Sequence, residues 1–298
     1  CSPCPLGQKI KMSDQEIQFF NTHVSEEAIS RVTEVLRSGW LNEGAVTKEF
    51  EGKLAETLGV SNPVTVNSGT SALHLPLVAL DIKEGDEVIV PPQTFVATGL
   101  VVKMCGATPV FADIDPHTGN MSPESFEAKI TERTKAVIPV HWGGYPCEMD
   151  EINEVASRSG ITVIEDAAHA LGATYKGKPI GTISRFTAFS FQAIKHLTTG
   201  DGGMICSLDP EDAKKVTVLR WFGIDREKSS RSHLGARGYD IENVGYKYHL
   251  NNVASAIGIG NLSDYLPRLV RRREIGKFYQ SRLQDVSGLK LLDFQGDR

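Results

Sequence analysis

The chain has 298 residues, 40% of them apolar, 23% charged and a formal net charge of −5, which is enough apolar content for a large buried core. No basic block stands out, so electrostatic attraction to nucleic acid or anionic lipid is not expected. Arg268, Arg271, Arg272 and Arg273 read as a solvated helix face. No apolar run approaches the roughly 20 residues needed to span a bilayer, and the first thirty residues lack the order of a signal peptide. A cytoplasmic protein without membrane contact is therefore expected.

Five cysteines at irregular positions argue against a disulfide framework, and Cys1 with Cys4 lacks a second ligand pair for zinc. Residues 1–12 read as an N-terminal tail. Helices are predicted around Glu26–Arg37 and Thr47–Leu58, joined by Ser38-Gly39-Trp40-Leu41-Asn42-Glu43-Gly44, a glycine-bearing segment suited to a binding loop. Short β-rich runs then alternate with helices. Strands are predicted at Val64–Val66, Glu87–Val90, Thr108–Asp113, Ala136–Val140, Thr162–Glu165, Ala188–Phe191 and Met204–Ser207. Helices such as Ser71–Leu80 and Ser122–Ile130 lie between them. This alternation predicts an α/β three-layer sandwich, a mainly parallel seven-stranded sheet covered on both faces, filling a large domain over residues 13–250. The polar stretch Asp225–Asp240 reads as mobile and solvent-exposed. Residues 251–298 read as a connecting helix, from about Leu262 to Val286, followed by Leu289-Lys290-Leu291-Leu292 as the opening strand of a small C-terminal domain that is incomplete in this sequence.

The chemistry is carried by pairs of residues at predicted strand ends. Asp166 follows one strand, and Lys195 lies just beyond the strand that ends in Ser190-Phe191-Gln192. At the C-terminal edge of a parallel sheet such side chains converge on one crevice. A lysine and a carboxylate facing one ligand are what pyridoxal 5'-phosphate requires. The amine forms an imine with its aldehyde, and the carboxylate keeps the pyridine nitrogen protonated so that the ring accepts electrons. Taken alone, each residue has an ordinary counterpart, a surface lysine and a turn-forming aspartate.

Asn67-Ser68-Gly69-Thr70-Ser71-Ala72-Leu73 sits between a strand and a helix. Free amides, the helix dipole and the Thr70 and Ser71 hydroxyls favour a phosphate there, although the same residues make an ordinary N-cap. Ser190 would grip that phosphate from the other side. Phe95 fits either a ring stacked on the cofactor or a core aromatic. His169 fits either a partner of the cofactor's phenolic oxygen or a satisfied core histidine. The glycine-rich run Thr198–Gly203 supplies a tight turn after the lysine.

Together, Ser68-Gly69-Thr70-Ser71-Ala72-Leu73-His74, Glu165-Asp166-Ala167-Ala168-His169-Ala170 and the segment from Ser190 through Lys195 to Gly203 resemble the DegT-type nucleotide-sugar aminotransferases. The likeness extends to Ser38-Gly39-Trp40-Leu41, Phe50-Glu51, Pro139-Val140-His141 and Gly245-Tyr246-Lys247-Tyr248-His249. The resemblance implies a fold-type I homodimer with active sites at the subunit interface, moving an amino group from L-glutamate to a nucleotide-linked keto sugar. It implies Lys195 as the imine lysine and proton shuttle, and Asp166 at the pyridine nitrogen. Thr70, Ser71 and Ser190 would hold the phosphate, with Phe95 on the ring. His169 stands where glutamine is frequent. Lys247 stands where asparagine is common, at a position that reaches the neighbouring subunit's cofactor phosphate. A sugar dehydratase of the same fold would carry histidine in place of Lys195. A non-catalytic member of the fold, and a fold-type I enzyme acting on amino acids alone, are the other readings.

Overall fold

A computed structural model describes residues 20–294, apart from 227, 229, 232–236, 240 and 242. The expected N-terminal tail lies outside the described residues. Helices α1 (Glu26–Ser38) and α2 (Ala45–Leu58) come first, followed by β1 (Val64–Val66), α3 (Gly69–Ala79), β2 (Glu87–Val90), α4 (Ala97–Met104) and β3 (Thr108–Phe111). Next come α5 (Pro123–Ala128), β4 (Thr134–Val137), α6 (Met149–Ser159), β5 (Thr162–Asp166), and a small hairpin of β6 (Thr174–Tyr175) with β7 (Lys178–Pro179). The chain continues through β8 (Phe186–Ser190), β9 (Gly203–Ser207), α7 (Pro210–Leu219), β10 (Ser230–Arg231), β11 (Arg237–Gly238), α8 (Asn252–Leu262) and α9 (Tyr265–Leu283).

The sheet has seven strands in the order β1-β9-β8-β5-β4-β2-β3. Only β9 runs against the others, pairing antiparallel with both β8 and β1. Side chains alternate between two cores, as the pleat requires. Val88 and Val90 of β2 face the cluster built with α3, α4 and α7, whereas Ile89 faces the cluster built with α2, α5, α6 and α8. The result is three layers, helix on sheet on helix.

Helix ends follow local chemistry. The Ser25 hydroxyl accepts from Ala28 N at the start of α1, and Gly39, at φ 73°, closes its end in a left-handed conformation that a side chain would strain. The segment after α1 is tied down by a buried guanidinium. Arg220, whose side chain is 5% exposed, donates through Nη1 to Glu51 Oε1 and the Thr65 carbonyl, each at 2.7 Å, and through Nη2 to Glu43 Oε1 at 2.7 Å. Breaking a buried pair strands the remaining charges. Arg220→Leu should therefore cost about 3–5 kcal/mol of folding stability in chemical denaturation, and a loss below about 1 kcal/mol would show that solvent already relieves Glu43 and Glu51.

Three expectations require correction. The C-terminal helix expected from about Leu262 to Val286 is α9, three residues shorter at each end, and α8 precedes it as a separate helix that was not expected. Leu289–Leu292 forms no strand. The described residues offer it no ladder, and the segment is held instead by Asp293 N donating to the His117 carbonyl at 2.8 Å and by Phe294 packed on Tyr145. Strand β3 stops at Phe111, two residues early, because Ala112 N is the last to pair with β2 before the chain turns toward α5. Much of Asp225–Asp240 lies outside the described residues; within it, β10 pairs with β11. No helix among the described residues is long and apolar enough to cross a membrane.

Candidate active site

Parallel strands aim their C-terminal ends at one edge of the sheet, and the loops that follow β1, β2, β4, β5 and β8 close around a cavity of about 500 Å³ there. Thr70, Phe95, Asp166, His169, Ser190 and Lys195 all line it. Ser71 and Lys247 do not. The Ser71 hydroxyl is turned inward, donating to Asn67 Oδ1 at 2.6 Å, while its amide donates to Ser68 Oγ at 3.0 Å as the N-cap of α3. Lys247 is exposed, its carbonyl accepting from Asn67 Nδ2 at 3.4 Å and its Nζ 5.6 Å from the Trp221 ring centre.

Asp166 closes β5, 6% exposed, with both oxygens engaged. Thr98 Oγ1 donates to Oδ2 at 2.8 Å and Ala168 N donates to Oδ1 at 3.2 Å. The Thr94 hydroxyl lies 2.6 Å from Thr98 Oγ1, one turn away, so a short hydroxyl relay sets the plane of the carboxylate. Glu165, its neighbour on β5, points to the opposite face. Its Oε1 accepts from Ser184 N at 3.0 Å and Thr187 Oγ1 at 3.1 Å, and its Oε2 lies 2.8 Å from His141 Nε2. Cys147 N donates to His141 Nδ1 at 3.1 Å, so Nδ1 accepts and Nε2 carries the proton toward Glu165. That buried pair fixes the wall contributed by the β4 loop.

Lys195 sits in a loop that folds back on itself. The Phe191 carbonyl accepts from Thr198 Oγ1 and Thr199 N, each at 3.0 Å, and Lys195 N donates to the Gln192 carbonyl at 2.8 Å. The side chain is half-buried. Desolvation lowers the pKa of its amine, and the nearby charge of Asp166 partly opposes the shift. His169 is also shifted down, by burial and then by Lys195, which favours a neutral ring.

Opposite the lysine loop, α3 presents its N-terminus, where the first amides lack intrahelical partners. Gly69 comes so close to β8 that an added Cβ would stand 2.9 Å from Ser190 Cβ. The glycine thus lets helix amides and the Ser190 hydroxyl share one small concavity. An amine, a fixed carboxylate, a hydroxyl beside a helix N-terminus and an aromatic ring together match the aldehyde, pyridine nitrogen, phosphate and ring of pyridoxal phosphate. Sequence reading missed Thr94, Thr98 and the His141–Glu165 pair. Thr94 and Thr98 carry no signal beyond their spacing of four across the start of α4, and Glu165 and His141 lie in family-like segments that give no sign of their pairing.

The sheet order and this cavity define a pyridoxal-phosphate aminotransferase of the large-domain type. The chain belongs to the DegT/DnrJ/EryC1/StrS aminotransferase family, which it matches over residues 22–298. It is 43% identical over 253 residues to the GDP-perosamine synthase of Caulobacter vibrioides, covering 85% of this chain and 66% of that protein. The sugar aminotransferase CalS13 of Micromonospora echinospora superposes with a TM-score of 0.89 at 34% identity, covering 95% of this chain and 77% of CalS13. Spr1654 of Streptococcus pneumoniae, solved in its PLP form, superposes with a TM-score of 0.84 at 34% identity over 91% of this chain and 72% of Spr1654. The cofactor is pyridoxal phosphate, and the family's enzymes are sugar aminotransferases.

Proposed function

We propose that this protein transfers an amino group from L-glutamate to a keto sugar carried on a nucleotide, in the cytoplasm. The observation that carries the reading is the convergence of the Lys195 amine and the Thr98-held Asp166 carboxylate on one cavity beside the α3 N-terminus. When bound, pyridoxal phosphate supplies the electron sink that lets a substrate carbon lose its proton. Lys195 would hold the cofactor through Nζ and, once displaced by the amino donor, carry the proton between carbon positions. A desolvated amine releases its proton more readily than an exposed one. Asp166 would serve the ring nitrogen, with Thr98 and the Ala168 amide holding the carboxylate's orientation. Thr70 and Ser190 would hold the phosphate with the first amides of α3, while Ser71 supports that turn from behind, its amide donating to the capping Ser68 hydroxyl and its own hydroxyl to Asn67 Oδ1. Phe95 would cover the ring, and His169, neutral, would meet the cofactor's phenolic oxygen.

A homodimer with shared sites fits the rim of the cavity. Phe95 is 73% exposed there, and Val96, Leu100 and Met104 continue the apolar strip along α4. In such a dimer Lys247 would reach the partner subunit's phosphate as a point charge. The Lys195 amine disfavours the dehydratase reading, which needs histidine at that position. An absorbance spectrum of the purified protein with pyridoxal phosphate, before and after L-glutamate, tests the first half of the reaction. The expected result is a visible cofactor band that glutamate converts to the amine form, followed by turnover on one of a panel of keto-sugar nucleotides. Absence of the band would favour the non-catalytic reading.

A further inference from the structure

The turn after β4 carries Trp142, whose ring shares a wall of the active-site cavity with His169. The two ring centres lie 6.0 Å apart, with the planes tilted by 59°. Among the described residues nothing hydrogen-bonds the His169 ring, and its ring contact is Trp142. The direction of the imidazole therefore depends on where the Trp142 turn is held.

That turn is tied on two sides. On one, the side chain of Asn120, 3% exposed, spans it, with Oδ1 accepting from Trp142 N and Nδ2 donating to the Tyr145 carbonyl, each at 3.0 Å. Both partners are backbone groups of fixed polarity, which leaves the amide a single orientation. On the other side Gly144, at φ 91°, comes so close to His169 that an added Cβ would stand 2.7 Å from its carbonyl oxygen. Asn120 is itself held in the loop before α5, where the Asp115 amide donates to its carbonyl at 2.8 Å and its own amide donates to Thr118 Oγ1 at 3.3 Å. Asn120 does not line the cavity, so any effect it has there passes through the turn.

We propose that Asn120 and Trp142 act together as positioning residues that hold the His169 imidazole toward the cofactor's phenolic oxygen, an assignment that rests on the role given to His169 above. The charged and titratable groups around His169 are Lys195 and Asp166 in the cavity and His196, Arg272 and Arg273 on its other side, and none of them is bonded to Asn120 or Trp142. A donated N–H stabilises negative charge on the phenolic oxygen and weakens that oxygen's hold on the proton it shares with the Lys195 nitrogen. Losing the donor strengthens the hold.

The pH midpoint of the visible band, measured on protein loaded with pyridoxal phosphate and without an amino donor, reads this contact directly. His169→Ala should raise the midpoint by about 0.5–1 in pH, about a 3- to 10-fold gain in proton affinity. Asn120→Ala and Trp142→Ala should each raise it by about half that or more, with the far-ultraviolet circular dichroism of the parent. Combining either with His169→Ala should move it no further than His169→Ala alone, because both act through the same ring. Should Asn120→Ala fail to fold, Trp142→Ala, whose half-buried side chain makes none of the turn's hydrogen bonds, carries the comparison. A folded Asn120→Ala or Trp142→Ala with the parent midpoint, or shifts that add in the double variants, overturns the proposal and leaves the role of His169 standing. A parent midpoint in His169→Ala removes that role, and the proposal with it.

Discussion

Replacing Lys195 with alanine should abolish the cofactor's covalent absorbance band and lower transamination by on the order of 10⁴-fold or more, with the fold intact. The size follows from two tasks placed on one atom. Among the described residues lining the cavity at the sheet edge Nζ is the only primary amine, so it alone can hold an aldehyde there, and it is the desolvated base within reach of the same space. The loss should be catalytic and not structural. The loop is held by the Phe191 carbonyl's contacts with Thr198 and Thr199 and by Asn261 Nδ2 donating to the Thr198 carbonyl at 3.0 Å, none of which uses the lysine side chain. Far-ultraviolet circular dichroism and the denaturation midpoint should therefore match those of the parent. Retention of more than a few per cent of activity would assign the proton transfer elsewhere.

Much of this architecture is legible in the chain itself. Val64–Val66 and Glu87–Val90 are short apolar runs closed by Asn-Ser-Gly and Pro-Pro, and they fold as strands with those same bounds. The reversal of β9 is not legible, because a strand buried on both faces has the same composition in either direction. The supposed strand at Leu289–Leu292 shows the converse limit. Alternating apolar residues predict a strand only if a neighbouring edge exists to receive their hydrogen bonds. Within the site, Thr70 begins a helix, Asp166 and Ser190 end strands and Lys195 follows one, so chain position alone indicates the edge on which they gather. The Thr94–Thr98 relay and the glutamate–histidine pair behind the wall depend on contacts between residues distant in sequence, which periodicity does not encode. Arg271, Arg272 and Arg273, read as a solvated basic face, are exposed on α9.

Asp166→Ala should weaken cofactor retention and slow proton abstraction by about 10²–10³-fold, the scale of losing one preorganised electrostatic contact to developing charge. The carboxylate is the only acidic side chain at the end of β5 that faces the cavity, since Glu165 is spent on His141, Ser184 and Thr187 across the sheet. Its removal also frees Thr98, whose hydroxyl then has the Phe95 carbonyl at 3.3 Å as an alternative acceptor, so the cost falls on chemistry more than on folding. Thr98→Val separates charge from orientation. That variant keeps the carboxylate and the Ala168 contact but loses the 2.8 Å bond to Oδ2. It should retain the cofactor band and lower the rate of the glutamate half-reaction by about 10-fold. Rapid-mixing absorbance on the two variants decides the matter. If Thr98→Val is as slow as Asp166→Ala, orientation of the carboxylate contributes as much as its charge; if Asp166→Ala reacts at the parent rate, the ring nitrogen is not served by Asp166 and another acid in the cavity wall, Asp201, becomes the group to replace next.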